Sequence, residues 1–376
     1  MYMLIVQLLE SILPILYIIS MDIKNFPFIV MTSHDCIHDI RAIFRYNRIV
    51  MERNAGTFAP GYLVLLESGE LQRRIDVLNE ILHSCELCPR KCRINRSAGE
   101  RGYCRAGNVL EISSYGPHFG EEEPLVGSGG VGGLLRISDS GGSGTIFLTH
   151  CNLRCVYCQN YDISHLGYGS RATTQDAAGM MLALQDKGCH NINFVTPTHF
   201  TPQLISALKT AAVQGLRLPV VWNCSGYENV EIIRLLDDIV DIYMPDFKYG
   251  TNERAKQYSN AADYFERCTE SLLEMHRQVG DLMMDERGVA RRGVLIRHLV
   301  LPNNLAGSEH VLDFIAKELS VDSYVNIMSQ YRPEGEAYRY AGLDRYPTGN
   351  EFHRVIDLAK KLGLTRGLQD KHIRRL

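Results

Sequence analysis

From Thr145 to the C-terminus, short apolar runs rich in β-branched and aromatic residues alternate with stretches of helical period. Thr145–Leu148, Asn191–Thr196, Pro219–Trp222, Val240–Met244, Val294–Val300 and Tyr324–Met328 read as strands. Most are apolar throughout, the pattern of strands buried on both faces. Helices are predicted at Ala177–Lys187, from Thr201, and at Val230–Asp237, Tyr264–Gln278, His310–Leu319 and Glu351–Leu362. The punctuation agrees. Thr173-Thr-Gln-Asp176 has the form of a capping box, with Gly188 as its helix's stop. Thr201 stands as a cap, Pro202 falls in the first turn, and Gly215 lies just past the end. Repeated strand–helix units predict an α/β fold, a parallel sheet covered by helices with its chemistry at the strands' C-terminal ends. Periodicity alone leaves a doubly wound sheet and a partial barrel equally open.

Upstream, Tyr62–Ser84 reads as a helix, since Leu71, Ile75, Leu78 and Leu82 share a face and Glu70 can pair with Arg74. Cys85–Gly107 and Gly127–Gly144 are rich in glycine and short on periodicity, so they predict loops around a metal site with a few short strands. Met3–Ser20 is mostly apolar but broken by Gln7, Glu10 and Pro14, without a basic start or a small-residue cleavage site. It makes a poor signal peptide and a costly membrane span. A dispensable lead is expected there, with weak anchoring or an organellar address left open. The division expected is residues 1–57 as an extension, 58–126 as a helix plus a cysteine-rich metal segment, and 127–376 as the barrel.

A net charge of −3 over 376 residues, with no long Lys/Arg run, argues against a nucleic-acid partner. Eleven cysteines are present, and seven fall in two tight clusters unlike a secreted disulfide scaffold. Reduced thiols, and so a reducing, cytoplasmic compartment, are expected.

The first of these clusters to draw attention is Cys151-x3-Cys155-x2-Cys158, directly after the strand Thr145–Leu148. Three thiolates can hold three irons of a [4Fe–4S] cube and leave the fourth without a protein ligand, whereas electron-transfer clusters are usually fully capped. A zinc site is the plainer alternative, but its pairs usually have a second pair or histidines well downstream. Polar residues gather at the later strand ends: Asn193, Thr196 and Thr198, then Asn223 and Ser225, then Asp246 and Lys248, with Arg297 and His298 inside Val294–Val300. Each also has a structural reading, as a turn residue, a solvated loop pair or a salt bridge. Arg297, facing a barrel interior, would need an anionic partner. Cys85, Cys88, Cys92 and Cys104 form the other cluster, suited to a closed zinc or to an auxiliary iron–sulfur cluster. Cys36, Cys189, Cys224 and Cys268 read as packing residues, and His34, His38, His118, His165 and His199 as structural.

The block THCNLRCVYCQN resembles the cluster loop of the radical S-adenosylmethionine (SAM) superfamily. NFVTPTHFTPQ, WNCSGYE, DIYMPDFKY, EMHRQVG, RGVLIRHLVLPN and VNIMSQYRP extend the likeness from about Tyr62 to the end. They are similar to the radical SAM family related to pyruvate formate-lyase activating enzymes, in a branch with an extra N-terminal cysteine segment. The resemblance implies a partial (β/α)6 barrel, a [4Fe–4S] cluster at Cys151, Cys155 and Cys158, and SAM chelated by the open iron. It implies an oxidoreductase: one electron from an external flavodoxin- or ferredoxin-like donor splits SAM, and the 5′-deoxyadenosyl radical takes a hydrogen from an undefined substrate. In the better-known activating enzymes that substrate is a glycine of a partner protein, and this chain has no glycyl-radical motif of its own. Tyr157 fits the aromatic position whose backbone contacts adenine. The Gly-Gly-Glu that usually receives the methionine amine is missing, leaving Asn193, Thr196 and Thr198 as available acceptors. His150 and Cys224 also depart from the pattern. A non-catalytic iron–sulfur or zinc module on the same fold, and an electron-transfer protein, are the competing readings.

Overall fold

The computed structural model describes residues 58–127 and 141–368. The apolar lead, Cys36, His34, His38 and most of the Gly127–Gly144 stretch lie outside them.

Strand β1 (Leu110–His118) runs antiparallel to β2 (Ser143–Leu148), and β3 (Ser170–Ala172) pairs with the other edge of β1. Beyond β2 come β4 (Ile192–Val195), β5 (Val220–Cys224), β6 (Ile242–Pro245), β8 (Ala290–Leu299) and β9 (Tyr324–Met328), each parallel to its neighbour. The two-residue β7 (Met283–Met284) flanks β8 antiparallel. These six parallel strands lie side by side in chain order, whereas a doubly wound sheet reverses its order at a switch point. The architecture is therefore the partial (β/α)6 barrel.

Period-2 alternation sorts the strand side chains into two cores. Ile146, Leu148, Phe194, Trp222, Tyr243, Ile296 and Val325 belong to the large core shared with the covering helices. Their neighbours Val221, Ile242, Met244 and Leu295 form a separate cluster with Leu125 and Leu282 on the barrel's inner side. Leu125 arrives on the short helix α3 (Glu123–Val126), and its carbonyl accepts from Asn191 Nδ2 at 2.9 Å.

The predicted helix Tyr62–Ser84 divides into α1 (Tyr62–Glu67), α2 (Glu70–Glu80) and a 3₁₀ turn, because Gly69 adopts φ 76°. Helix α2 buries Leu71, Ile75 and Leu78, and Glu70 pairs with Arg74 at 2.8 Å. After the cluster loop comes α4 (Tyr161–Ser164), then α5 (Thr174–Asp186), whose capping box joins Thr173 and Asp176 reciprocally. Thr201 does not cap α6 (Thr201–Val213). A 3₁₀ turn over Thr198–Phe200 feeds straight into the helix, and the Thr201 hydroxyl donates to the Thr198 carbonyl at 2.8 Å. Helices α7 (Val230–Leu235), α8 (Asn252–Ser259), α9 (Tyr264–Val279), α10 (Ser308–Phe314) and α11 (Gly349–Lys361) complete the cover. The helix expected at His310–Leu319 starts two residues earlier and ends in a π turn over Ile315–Leu319. Among the described residues no helix is long and apolar enough to cross a membrane.

Candidate active site

Strand β2 delivers Cys151, Cys155 and Cys158 to the C-terminal end of the barrel. Two residues in the left-handed region, His150 (φ 67°) and Arg154 (φ 61°), coil the loop. Its sulfurs are ringed by donors. Cys151 Sγ accepts from the Leu153 amide at 3.3 Å and from that of Arg154. Cys158 Sγ accepts from the Asn160 amide and lies 3.1 Å from Ser164 Oγ, which in turn contacts His165 Nδ1 at 2.8 Å. Burial, then the neighbouring thiols, push Cys151 up to about 12. Burial and Cys155 raise Cys158, while the Lys248 ammonium opposes them. The Tyr157 ring is buried between Tyr249 and Tyr331, at centroid distances of 6.3 and 5.7 Å, so this aromatic anchors the loop by its side chain.

Below the loop, charged side chains cross the barrel's inside. Arg297 Nε donates to Asp246 Oδ1 at 2.8 Å, and its Nη2 donates to Asn223 Oδ1 at 2.7 Å. Lys248 Nζ donates to the other Asp246 oxygen at 2.6 Å. Burial would raise Asp246, but the two cations hold it below the ordinary carboxylate range. Burial would lower Lys248, and the facing carboxylate with Cys155 outweighs it. Asn223, Asp246, Lys248 and Arg297 are thus one bonded group from three consecutive strands.

The other sequence candidates stand apart. Asn193 donates to Ser143 Oγ at 3.3 Å, and its buried Oδ1 has no partner. Thr196 (φ 60°) sends its amide to the Asn223 carbonyl at 2.8 Å, which ties it to the group only through backbone. Thr198 donates to buried Glu228 at 2.7 Å, and Ser225 to Asn152 Oδ1 at 3.3 Å. Both hydroxyls serve neighbouring protein groups. Cys224, the residue departing from the expected hydroxyl, bonds Glu228 as well, and burial raises that carboxyl to about 8. Cys189, Cys224 and Cys268 are buried, as expected of packing residues. His150 meets Glu111 at 3.0 Å.

Sequence reasoning missed Glu121 and Glu122. They enter from the β1 side and stand 3.9 and 3.8 Å from Arg297 Nη1. Burial and the adjacent Glu122 raise Glu121 to about 7. Glu122 Oε1 accepts from Asn326 Nδ2 at 3.0 Å, and its Oε2 is buried without a partner. The run Glu121-Glu122-Glu123-Pro124 looks like an exposed helix start, and no local signal shows that two of its members turn inward.

The radical SAM superfamily model matches residues 145–315, from β2 through the turn after α10. Uncharacterized protein MJ0674 of Methanocaldococcus jannaschii is 33% identical over 326 residues, covering 85% of this chain and 87% of that protein. Uncharacterized protein MJ0808 of the same organism is 22% identical over 306 residues, covering 77% and 80%. A solved structure, the radical S-adenosylmethionine methyltransferase TsrM from Kitasatospora setae with tryptophan substrate and a SAM analog bound, aligns at 15% identity and a TM-score of 0.37. That alignment covers 52% of this chain and 38% of that one. The chain carries a radical SAM superfamily domain over residues 145–315. That domain implies a [4Fe–4S] cluster and SAM, and the donor set fits: three thiols on one loop, amides on two sulfurs, and an ammonium within electrostatic reach of Cys155 and Cys158. Among the described residues no three Cys, His, Asp or Glu side chains converge to grip a single ion. A cube does not ask for that, since each thiolate takes a different iron.

Proposed function

We propose that the chain is a radical SAM enzyme of the type related to pyruvate formate-lyase activating enzymes, an oxidoreductase that abstracts hydrogen from a substrate still to be identified. The observation that carries this reading is the three-thiol loop lying over the bonded group Asn223–Asp246–Lys248–Arg297. When bound, the cluster and SAM would supply a one-electron cleavage that releases a hydrogen-abstracting 5′-deoxyadenosyl radical. This chain's residues do the holding. Cys151, Cys155 and Cys158 would hold three irons, and the backbone at Tyr157 would meet the adenine. Lys248 and Arg297 offer positive charge to the methionine carboxylate, and Asp246 keeps both cations oriented and charged. Asn193 stands apart, held to Ser143, but its unpartnered buried oxygen would be the free acceptor for the amine, since Glu228 and Asn152 already engage the hydroxyls of Thr198 and Ser225. Thr196 contributes through its backbone. An external flavodoxin- or ferredoxin-like donor supplies the electron, in a reducing, cytoplasmic setting.

Anaerobic reconstitution with iron and sulfide, followed by dithionite and SAM, tests the activity. The expected product is 5′-deoxyadenosine, with a change in the cluster's EPR spectrum when SAM is added. A spectrum indifferent to SAM, with no nucleoside released, would leave only a binding module or an electron carrier.

A further inference from the structure

The segment Cys85–Cys104 sits outside the barrel, and its four thiols line one small pocket together with Arg90, Arg96 and His199. The backbone around the sulfurs is shaped as metal–thiolate loops are. Cys88 Sγ accepts from the Arg90 amide two residues on, Cys104 Sγ from the Ala106 amide two residues on, and Cys92 Sγ from the Tyr103 amide at 3.5 Å. Lys91, Arg93 and Arg105 take left-handed conformations to make these turns, at φ 40°, 54° and 65°. A Cβ on Gly102 would fall 2.8 Å from Cys92 Sγ, so glycine lets the chain close around the sulfur.

Two further groups in the same wall lack partners. His199 Nε2 donates to the Thr149 carbonyl at 2.7 Å, so its other ring nitrogen, Nδ1, carries the lone pair, and that buried atom bonds nothing. Arg96 gives Nη1 to the His199 carbonyl at 2.6 Å and Nη2 to that of Gly107, while its buried Nε–H has no acceptor. Both residues are 1% exposed. A buried guanidinium N–H without an acceptor is costly unless something that carries negative charge, such as a metal–thiolate centre, stands beside it.

We propose that Cys85, Cys88, Cys92 and Cys104 hold a second [4Fe–4S] cluster, closed because all four irons have a protein thiolate. Assembly combines four iron ions, four sulfide ions and the four thiolates, and the thiol protons pass to solvent. Four cysteine ligands leave no vacant iron, so this centre does not bind SAM. A tetrahedral zinc site would draw all four sulfurs to about 2.3 Å from one ion. Here the four thiols instead line the wall of a pocket together with Ile94, Arg96 and His199, the arrangement a larger group would fill.

The test starts from C151A/C155A/C158A, which removes the catalytic loop's ligands, reconstituted anaerobically with iron and sulfide. We expect about four iron and four sulfide per chain, with a dithionite-reduced EPR signal that SAM leaves unchanged. Adding Cys88→Ser and Cys104→Ser should abolish both. Should the triple variant fold poorly, wild type against C88S/C104S serves equally, at about eight iron against about four. Stoichiometric zinc that survives reconstitution, or no iron beyond the C88S/C104S level, would overturn the proposal. Either result leaves the SAM-cleavage reading standing, because wild-type nucleoside release is measured separately.

Discussion

The two cysteine segments solve different problems with the same ligand. The Cys151–Cys158 loop supplies three thiols and faces the barrel's interior, where Lys248, Arg297, Asp246, Glu121 and Glu122 set charges a small polar cofactor can meet. The Cys85–Cys104 segment supplies four thiols and faces Arg96 and His199, whose hydrogen bonds go to backbone carbonyls and not to carboxylates. One segment offers three thiols beside charges that pair with one another; the other offers four beside donors fixed to backbone carbonyls. On the proposed reading, ligand count and the company each loop keeps are what separate a reaction centre from a closed one.

The largest effect that would break this contrast comes from removing one thiol at each place. Cys155→Ala is expected to reduce 5′-deoxyadenosine formation to the uncatalysed background, because a cube held at two corners is not retained. Cys88→Ser should leave SAM-induced changes in the remaining cluster's EPR spectrum in place. Equal loss of both properties in both variants would mean the two segments serve one centre.

Next come two arginines, the buried Arg96 and the partly buried Arg297. Arg297→Met strips one of two cationic partners from Asp246, Lys248 remaining, and removes the guanidinium that faces Glu121 and Glu122. Breaking a buried ion pair in this way costs about 3–5 kcal/mol. Arg96→Met exposes only carbonyls, at about 1–3 kcal/mol. Denaturant midpoints of the metal-free proteins would measure both. A larger loss at Arg96 would place the more demanding electrostatics outside the barrel.

Much of this was readable from the sequence, for physical reasons. A β-branched run followed by C-x3-C-x2-C is local, and so are the capping box at Thr173 and the apolar face of α2. The ends of β5, β6 and β8 were located well enough to pick out Asn223, Asp246 and Arg297, because parallel units put polar residues there for a reason. What escaped depends on contacts far apart in sequence. Strand β1 hides in a half-exposed stretch whose partner is residues 143–148, and Glu122 gains its role only by meeting Arg297 and Asn326. Thr201 looked like a cap because threonine before a Pro-led helix usually is one, but the preceding 3₁₀ turn supplied the entry instead.

A third prediction uses pH to probe the wall shared by Thr198, Cys224 and Glu228. Burial raises Glu228 to about 8, above its ordinary value, so the folded state holds a proton that the unfolded chain releases. The stability this gives is present in full below about pH 4.5 and is lost as pH rises through 8. Buried His199, His165 and His298 are lowered, to about 3, 4 and 4, and act oppositely, but only below the unfolded histidine value near 6.5. Between about pH 7 and 8.5 the histidines no longer contribute, but Glu121, raised to about 7, overlaps, so the Glu228 share is read as the difference between wild type and a variant at that position. Glu228→Gln keeps an acceptor for the Thr198 hydroxyl and has no proton to lose. Its Tm should fall by several degrees less than wild type across that window, and parallel curves would show that Glu228 is already ionised.

The smallest expected effect concerns the joint between the two segments. Arg90 belongs to the four-cysteine segment, yet its Nε donates to the Asn152 carbonyl at 3.1 Å and its Nη2 to that of Ser259 at 3.1 Å. Its guanidinium lies between the rings of Tyr103 and Tyr227, at 3.9 and 5.1 Å from their centroids. Asn152 sits between Cys151 and Cys155, so Arg90 ties one cysteine loop to the backbone of the other. Alanine at position 90 removes donors but no metal ligand, and a hydrogen bond to a charged group contributes about 1.5–3 kcal/mol at most. Arg90→Ala should speed amide exchange in the Cys151–Cys158 loop by roughly tenfold, an effect of about 1.4 kcal/mol, while leaving the iron content of both sites unchanged. Exchange that stays at the wild-type rate would mean the loops are neighbours without being coupled.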